Sequence, residues 1–163
     1  MCIKNVNANC LVCEEVKNIE GEYSISNVFD TAICKKNQEG KYVVEKLTIV
    51  IFLSAVGSDN DTPFGKRFDL RLTLVNRNTK RAKKLIDYKY EPNTSKIPAN
   101  GLGQCKDYAT LRLWVDVGSL ILDEEELGDY VIKVWLTEVG YPDDWKEQTM
   151  QPVNFKMEDI VVE

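Results

Sequence analysis

Hydrophobic residues recur at every second position in segment after segment of this chain, and that period commits it to β-strands. In FDLRLTLV, Phe68, Leu70, Leu72 and Leu74 fall on one side and Asp69, Arg71 and Thr73 on the other. ATLRLWVDV sets Ala109, Leu111, Leu113, Val115 and Val117 against Thr110, Arg112, Trp114 and Asp116. YVIKVWL sets Tyr130, Ile132, Val134 and Leu136 against Val131, Lys133 and Trp135. Successive side chains of a strand point to opposite faces, so each segment has one face to bury and one wetter face.

LTIVIFLSAV is apolar on both faces and reads as a central strand covered on both sides, ended by Gly57. Weaker strands are expected at Ala8 to Val16, Glu22 to Phe29, Lys84 to Tyr90 and Val153 to Val162. Breaks fit at Glu20-Gly21, Glu39-Gly40 and Leu127-Gly128, and the acidic stretch Leu122 to Leu127 has room for one helical turn. Alternating strands need a second layer to cover their apolar faces. The expectation is therefore an all-β, two-layer antiparallel β-sandwich, immunoglobulin-like, of about eight strands. One domain would span residues 1–163, with Ile49, Ile51 and Leu53 in its core. A closed barrel is the competing architecture. Tyr130, just after Gly128, resembles the corner tyrosine of immunoglobulin-like domains; its hydroxyl would bond nearby backbone, or the ring would simply face inward.

The chain has no histidine, which removes imidazole bases, histidine-containing triads and histidine-ligated metals. No nucleophile elbow, phosphate loop or dinucleotide fingerprint occurs, so no enzyme is expected. The net charge of −5 is segregated. Residues 66–96 carry ten basic and three acidic side chains, whereas residues 107–163 carry four and fourteen. An acidic total disfavours nucleic acid and anionic membranes, and such segregation commonly gives complementary surfaces within one domain. Cys2, Cys10, Cys13, Cys34 and Cys105 are an odd number without framework spacing. MCIKNVNANC lacks the apolar core of a signal peptide, and the longest apolar run, Leu47 to Val56, is about half a bilayer span. These features predict reduced thiols in the cytoplasm, with export by another route as a surface or virion protein left open.

ANCLVCEEV, NIEGEYSISNVFDTA, the long apolar strand and GDYVIKVWL together resemble an uncharacterised bacterial β-sandwich family. Its members open with a short strand ending in a cysteine and an acidic residue, followed by a glycine-turn hairpin. The resemblance is closest over about the first 30 residues and implies the fold alone, with no catalytic residue. The long loops at Gly57 to Lys66 and Glu91 to Cys105 depart from that pattern.

Four constellations are candidate sites. Cys10 and Cys13 form a C-x-x-C, but strand alternation puts the two sulfurs on opposite faces, and buried thiols acting as small hydrophobes are the simpler reading. Asp59, Asp61, Asp143 and Asp144 lie in loops that would bind Ca²⁺, and through it a sugar or lipid headgroup, if those loops met at one end; otherwise they are solvated turns. Arg77, Lys80, Arg81, Lys83 and Lys84 would grip phosphate or an acidic partner from a hairpin tip, or simply protect an edge; no aromatic accompanies them to stack on bases. Trp114 and Trp135, beside Arg112 and Lys133, fall on the outward faces of their strands. If those strands pair, the indoles form a platform for a protein partner, a homodimer or a sugar; a covering loop or the C-terminal strand is the alternative. The leading expectation is a non-catalytic binding or assembly module acting through protein–protein contact, and the alternative is the calcium-dependent ligand module.

Overall fold

The computed structural model of the chain describes residues 6–20, 22–56, 67–90, 102–105, 108–138 and 145–158. Its strands are β1 (Val6–Ile19), β2 (Glu22–Val28), β3 (Thr31–Lys36), β4 (Tyr42–Val44), β5 (Thr48–Val56), β6 (Phe68–Asn76), β7 (Ala82–Tyr90), β8 (Leu102–Cys105), β9 (Tyr108–Asp116), β10 (Leu120–Leu122), β11 (Gly128–Glu138) and β12 (Lys146–Met157). A 3-10 turn at Glu124–Glu126 occupies the stretch expected to hold one helical turn. Two sheets form, one ordered β2-β1-β5-β9-β8 and the other β10-β4-β3-β12-β11-β6-β7. They pack on a common core to which every alternating strand contributes its apolar face: Phe68, Leu70, Leu72 and Leu74 from β6, and Ile132, Val134 and Leu136 from β11. Ile49, Ile51 and Leu53 face them from β5, as expected, with Leu111 and Leu113 beside them on β9.

The strand count of about eight is too low. β3, β4, β8 and β10 run three to six residues, too short for alternation to show above background. The antiparallel expectation also fails at one place: β12 pairs with β3 in parallel, Phe155 beside Ala32. These segments lie far apart in the chain, so no tight turn dictates their direction. The last described strand is Lys146–Met157 rather than Val153 to Val162, its first half lacking an apolar stripe.

β5 and β9 pair with Thr48 opposite Asp116, and β4 and β10 pair with Val44 opposite Leu120 in the same register. Between them the Val117 amide donates to the Leu47 carbonyl at 2.9 Å. The two ladders are thus one ribbon that turns from the first sheet into the second, joining the layers by backbone as well as by side-chain packing.

β5 is covered on both faces over its first half, while its outward Phe52 and Ser54 are only partly buried. Its outward Thr48 and Val50 are buried as fully as its inward isoleucines. The cover is the distal half of the β1–β2 hairpin. β1 leaves β5 after Cys13 and continues with β2 alone, Val16 opposite Ile25 and Asn18 opposite Tyr23. The Tyr23 ring lies 4.9 Å from that of Trp114 on β9, three strands away in the sheet order, so the hairpin crosses the outer face of β5. Val16, Ile25, Val50 and Phe52 surround a void of about 60 Å³ beneath it.

The β6–β7 turn is closed by the side chain of Asn76, which is buried. Its Oδ1 accepts the amides of Asn78 at 2.9 Å and Thr79 at 3.1 Å, and Lys80 follows at φ 63°. Asn76→Ala should cost about 1–2 kcal/mol, the net worth of two such bonds. A chemical-denaturation midpoint unchanged from wild type would show the turn to be closed by backbone alone.

Candidate functional site

The outward face of the seven-stranded sheet collects aromatic and charged side chains from four elements. β6 presents Arg71 and Thr73, and the β6–β11 register sets Arg71 opposite Trp135 and Thr73 opposite Lys133. A register shift at Val134/Trp135 brings Glu147 of β12 beside Trp135 and leaves Met150 opposite Lys133. Trp145, the residue before β12, completes the group. The Trp135 Nε1 donates to Thr73 Oγ1 at 2.9 Å, which fixes the indole against β6. The Arg71 guanidinium lies over the Trp145 ring at 4.2 Å, and the Lys133 ammonium lies 5.7 Å from the Trp135 ring centre. A cation over an aromatic face is attracted by the ring's negative quadrupole, so both cations are oriented by the tryptophans.

The remaining charges are paired around these contacts. Arg71 Nε donates to Asp87 Oδ1 at 2.8 Å, and Lys84 Nζ donates to Asp87 Oδ2 at 2.9 Å. Arg71, with Lys84 in support, holds the Asp87 carboxyl below its ordinary range. Lys133 reaches Glu147 at 3.5 Å. Trp135 and Trp145 are half-buried, and Met150 is 59% exposed beside them. Such an arrangement offers rigid rings and oriented cations with no activated nucleophile among them.

Trp114 and Trp135 do not share a platform: β9 lies in the five-stranded sheet and β11 in the seven-stranded one. Trp114 packs against Tyr23 with the rings tilted by 52°, while Arg112 lines the same small void on the same outer face. Lys133 stays with Trp135. Trp135 stands with Thr73, which accepts its indole N–H, and opposite Arg71, whose guanidinium lies over Trp145; Arg71 and Thr73 were legible as one polar face of a strand, but their sheet neighbour was not. Asp59, Asp61, Asp143 and Asp144 lie outside the described residues. Among the described residues no group of three or more cysteines and carboxylates is placed to hold a metal ion.

Basic residues of the β6–β7 hairpin face the acidic turn of the same chain. Arg81 and Lys83 form one wall of a cleft of about 490 Å³, and Glu125 and Glu126 form another, over Leu74, Leu122 and Tyr130. The charge segregation of the sequence is therefore answered within the molecule at this end. Asp123, at the start of that turn, pairs with Lys41, which holds the carboxyl below and the ammonium above their usual ranges. The Tyr130 hydroxyl donates to the Glu126 carbonyl, and its ring is buried as well, so both sequence readings of this residue hold together. Gly128, two residues before it, sits at φ 127°, which only glycine adopts without strain.

Cys10 and Cys13 do point to opposite faces. Cys10 is in the core and burial pushes its thiol up to about 12, while Cys13 turns its sulfur toward the Thr48 carbonyl at 3.6 Å. Neither is a poised nucleophile, since the thiolate is the reactive form. No helix among the described residues is long and apolar enough to cross a membrane. Comparison with protein-family models and with curated proteins returns no match.

Proposed function

We propose that the chain is a non-catalytic binding or assembly module that engages a protein partner through the outward face of its seven-stranded sheet. The observation that carries this is the Arg71–Trp145 stack beside Trp135, with Met150 exposed at its margin. Tryptophan, arginine and methionine are the residues enriched where protein interfaces concentrate their binding energy. Rings already held by Thr73 and Arg71 lose little freedom on binding, so less of the contact energy is spent on ordering them. The finer reading of the sandwich as immunoglobulin-like belongs to the same proposal and is supported by the Tyr130 corner. So does a cytoplasmic location, which the free, buried thiols of Cys10, Cys13 and Cys34 favour.

A Trp145→Ala, Met150→Ala double variant tests the face, because neither residue belongs to the core. It should keep the wild-type melting curve and lose the cross-linked protein adducts that the wild type forms in its own cells. An adduct pattern identical to wild type, with the fold intact, would remove the support for this reading.

A further inference from the structure

The sheet edges differ in how they are protected. β7, at one end of the seven-stranded sheet, carries Lys83, Lys84 and Lys89 and a register shift against β6. β10, at the other end, is three residues long, and β8 is four. Lysines, bulges and shortness are the usual means of keeping a free edge from pairing with another chain. β2 has fewer of them. Among the described residues it is the terminal strand of the five-stranded sheet, seven residues long, with Glu22 as its only charge. Its flat part is Glu22–Ser26, because Asn27 at φ 54° kinks the strand. Within that part Ser24 is exposed and Ile25 is 37% exposed.

We propose that β2 pairs antiparallel with β2 of a second copy of this chain, about a twofold axis through Ser24. The flat segment is complementary to itself in that register. Tyr23 faces Ile25 of the second copy, and Ile25 faces its Tyr23, giving two aromatic–β-branched cross-strand pairs. Ser24 faces Ser24, and the one charge, Glu22, faces Ser26, so no like charges meet. Tyr23 and Ile25 lie on the side of the hairpin that packs toward Trp114 and Phe52, so the new pairs extend an apolar layer already present. A closed twofold contact also uses up the edge in each copy, leaving none to propagate.

Ser24 is the residue to change, since it is exposed and outside the core. Light scattering across the micromolar range should give a dimer mass for the wild type and a monomer mass for Ser24→Glu and for Ser24→Lys, where two like charges meet on the axis. An equimolar mixture of the two variants should recover the dimer mass, with opposite charges now facing. A monomeric wild type, or dimeric variants, or a mixture that stays monomeric, overturns the proposal. The Trp145→Ala, Met150→Ala variant should remain dimeric, which keeps this edge distinct from the tryptophan face: if that variant is the one that dissociates, the edge proposal fails and the face stands.

Discussion

Phe155→Ala should lower the stability of the chain by about 3–5 kcal/mol, the largest effect of any single substitution considered. Phe155 is 1% exposed and stands where three strands meet: Gly128 of β11 is opposite it on one side and Ala32 of β3 on the other. Its ring meets Tyr130 edge to face, 5.2 Å between centres at 82°, a geometry worth about 0.5–1.5 kcal/mol beyond the area it buries. Truncating the ring leaves a cavity whose cross-strand neighbours are a glycine and an alanine, which have little side chain to fill it. Cavities that cannot collapse fall at the costly end of such series. Equilibrium denaturation should show a lower midpoint with an unchanged slope, the mark of lost stability without a change in the surface exposed. A cost below about 1 kcal/mol would mean that the parallel β3–β12 junction is not closed around this ring.

What could be read in the sequence was inside against outside, strand by strand. β6, β9 and β11 sit within a residue or two of their alternating segments, and their apolar faces are the core. β5 was legible as apolar on both faces because Val50 and Phe52 are as apolar as Ile49 and Ile51; the hairpin that covers its first half was not, since a hairpin's path across a sheet leaves no period. β3 was missed for a local reason: Ala32 and Cys34 point inward, whereas its largest apolar residue, Ile33, is 52% exposed. The candidate site shows the same boundary. Alternation correctly put Trp114 and Trp135 on outward faces but carries no information on which sheet a strand joins. Sheet membership is decided by pairings such as β6 with β11 and β5 with β9, between segments far apart in the chain. That is why one expected platform became two separate surfaces, and why Arg71, with Trp145 under its guanidinium, emerged beside Trp135 only through the β6–β11 register.

Alkaline pH should destabilise the chain through Cys10. Its thiol is held neutral to about 12 by burial, against an ordinary value near 9 in the unfolded chain. Below pH 9 both states keep the proton and Cys10 adds no pH dependence. Between 9 and 12 the unfolded chain loses the proton while the folded chain retains it, so stability falls by about 1.36 kcal/mol per pH unit. By pH 10.5 the loss from this residue is roughly 2 kcal/mol. Burial raises the thiols of Cys13 and Cys34 as well, in part offset by backbone hydrogen bonds at Glu15 and Lys156, and it raises the Tyr130 hydroxyl. All of these act in the same direction, so the slope of the wild type alone does not isolate Cys10. Cys10→Ala does: whatever the small cavity costs at neutral pH, the variant should lose stability more slowly than wild type from pH 9 to 10.5. Parallel curves for the two proteins would show that the folded chain ionises this thiol as readily as the unfolded one, and so that Cys10 is not sealed in the core between the two sheets.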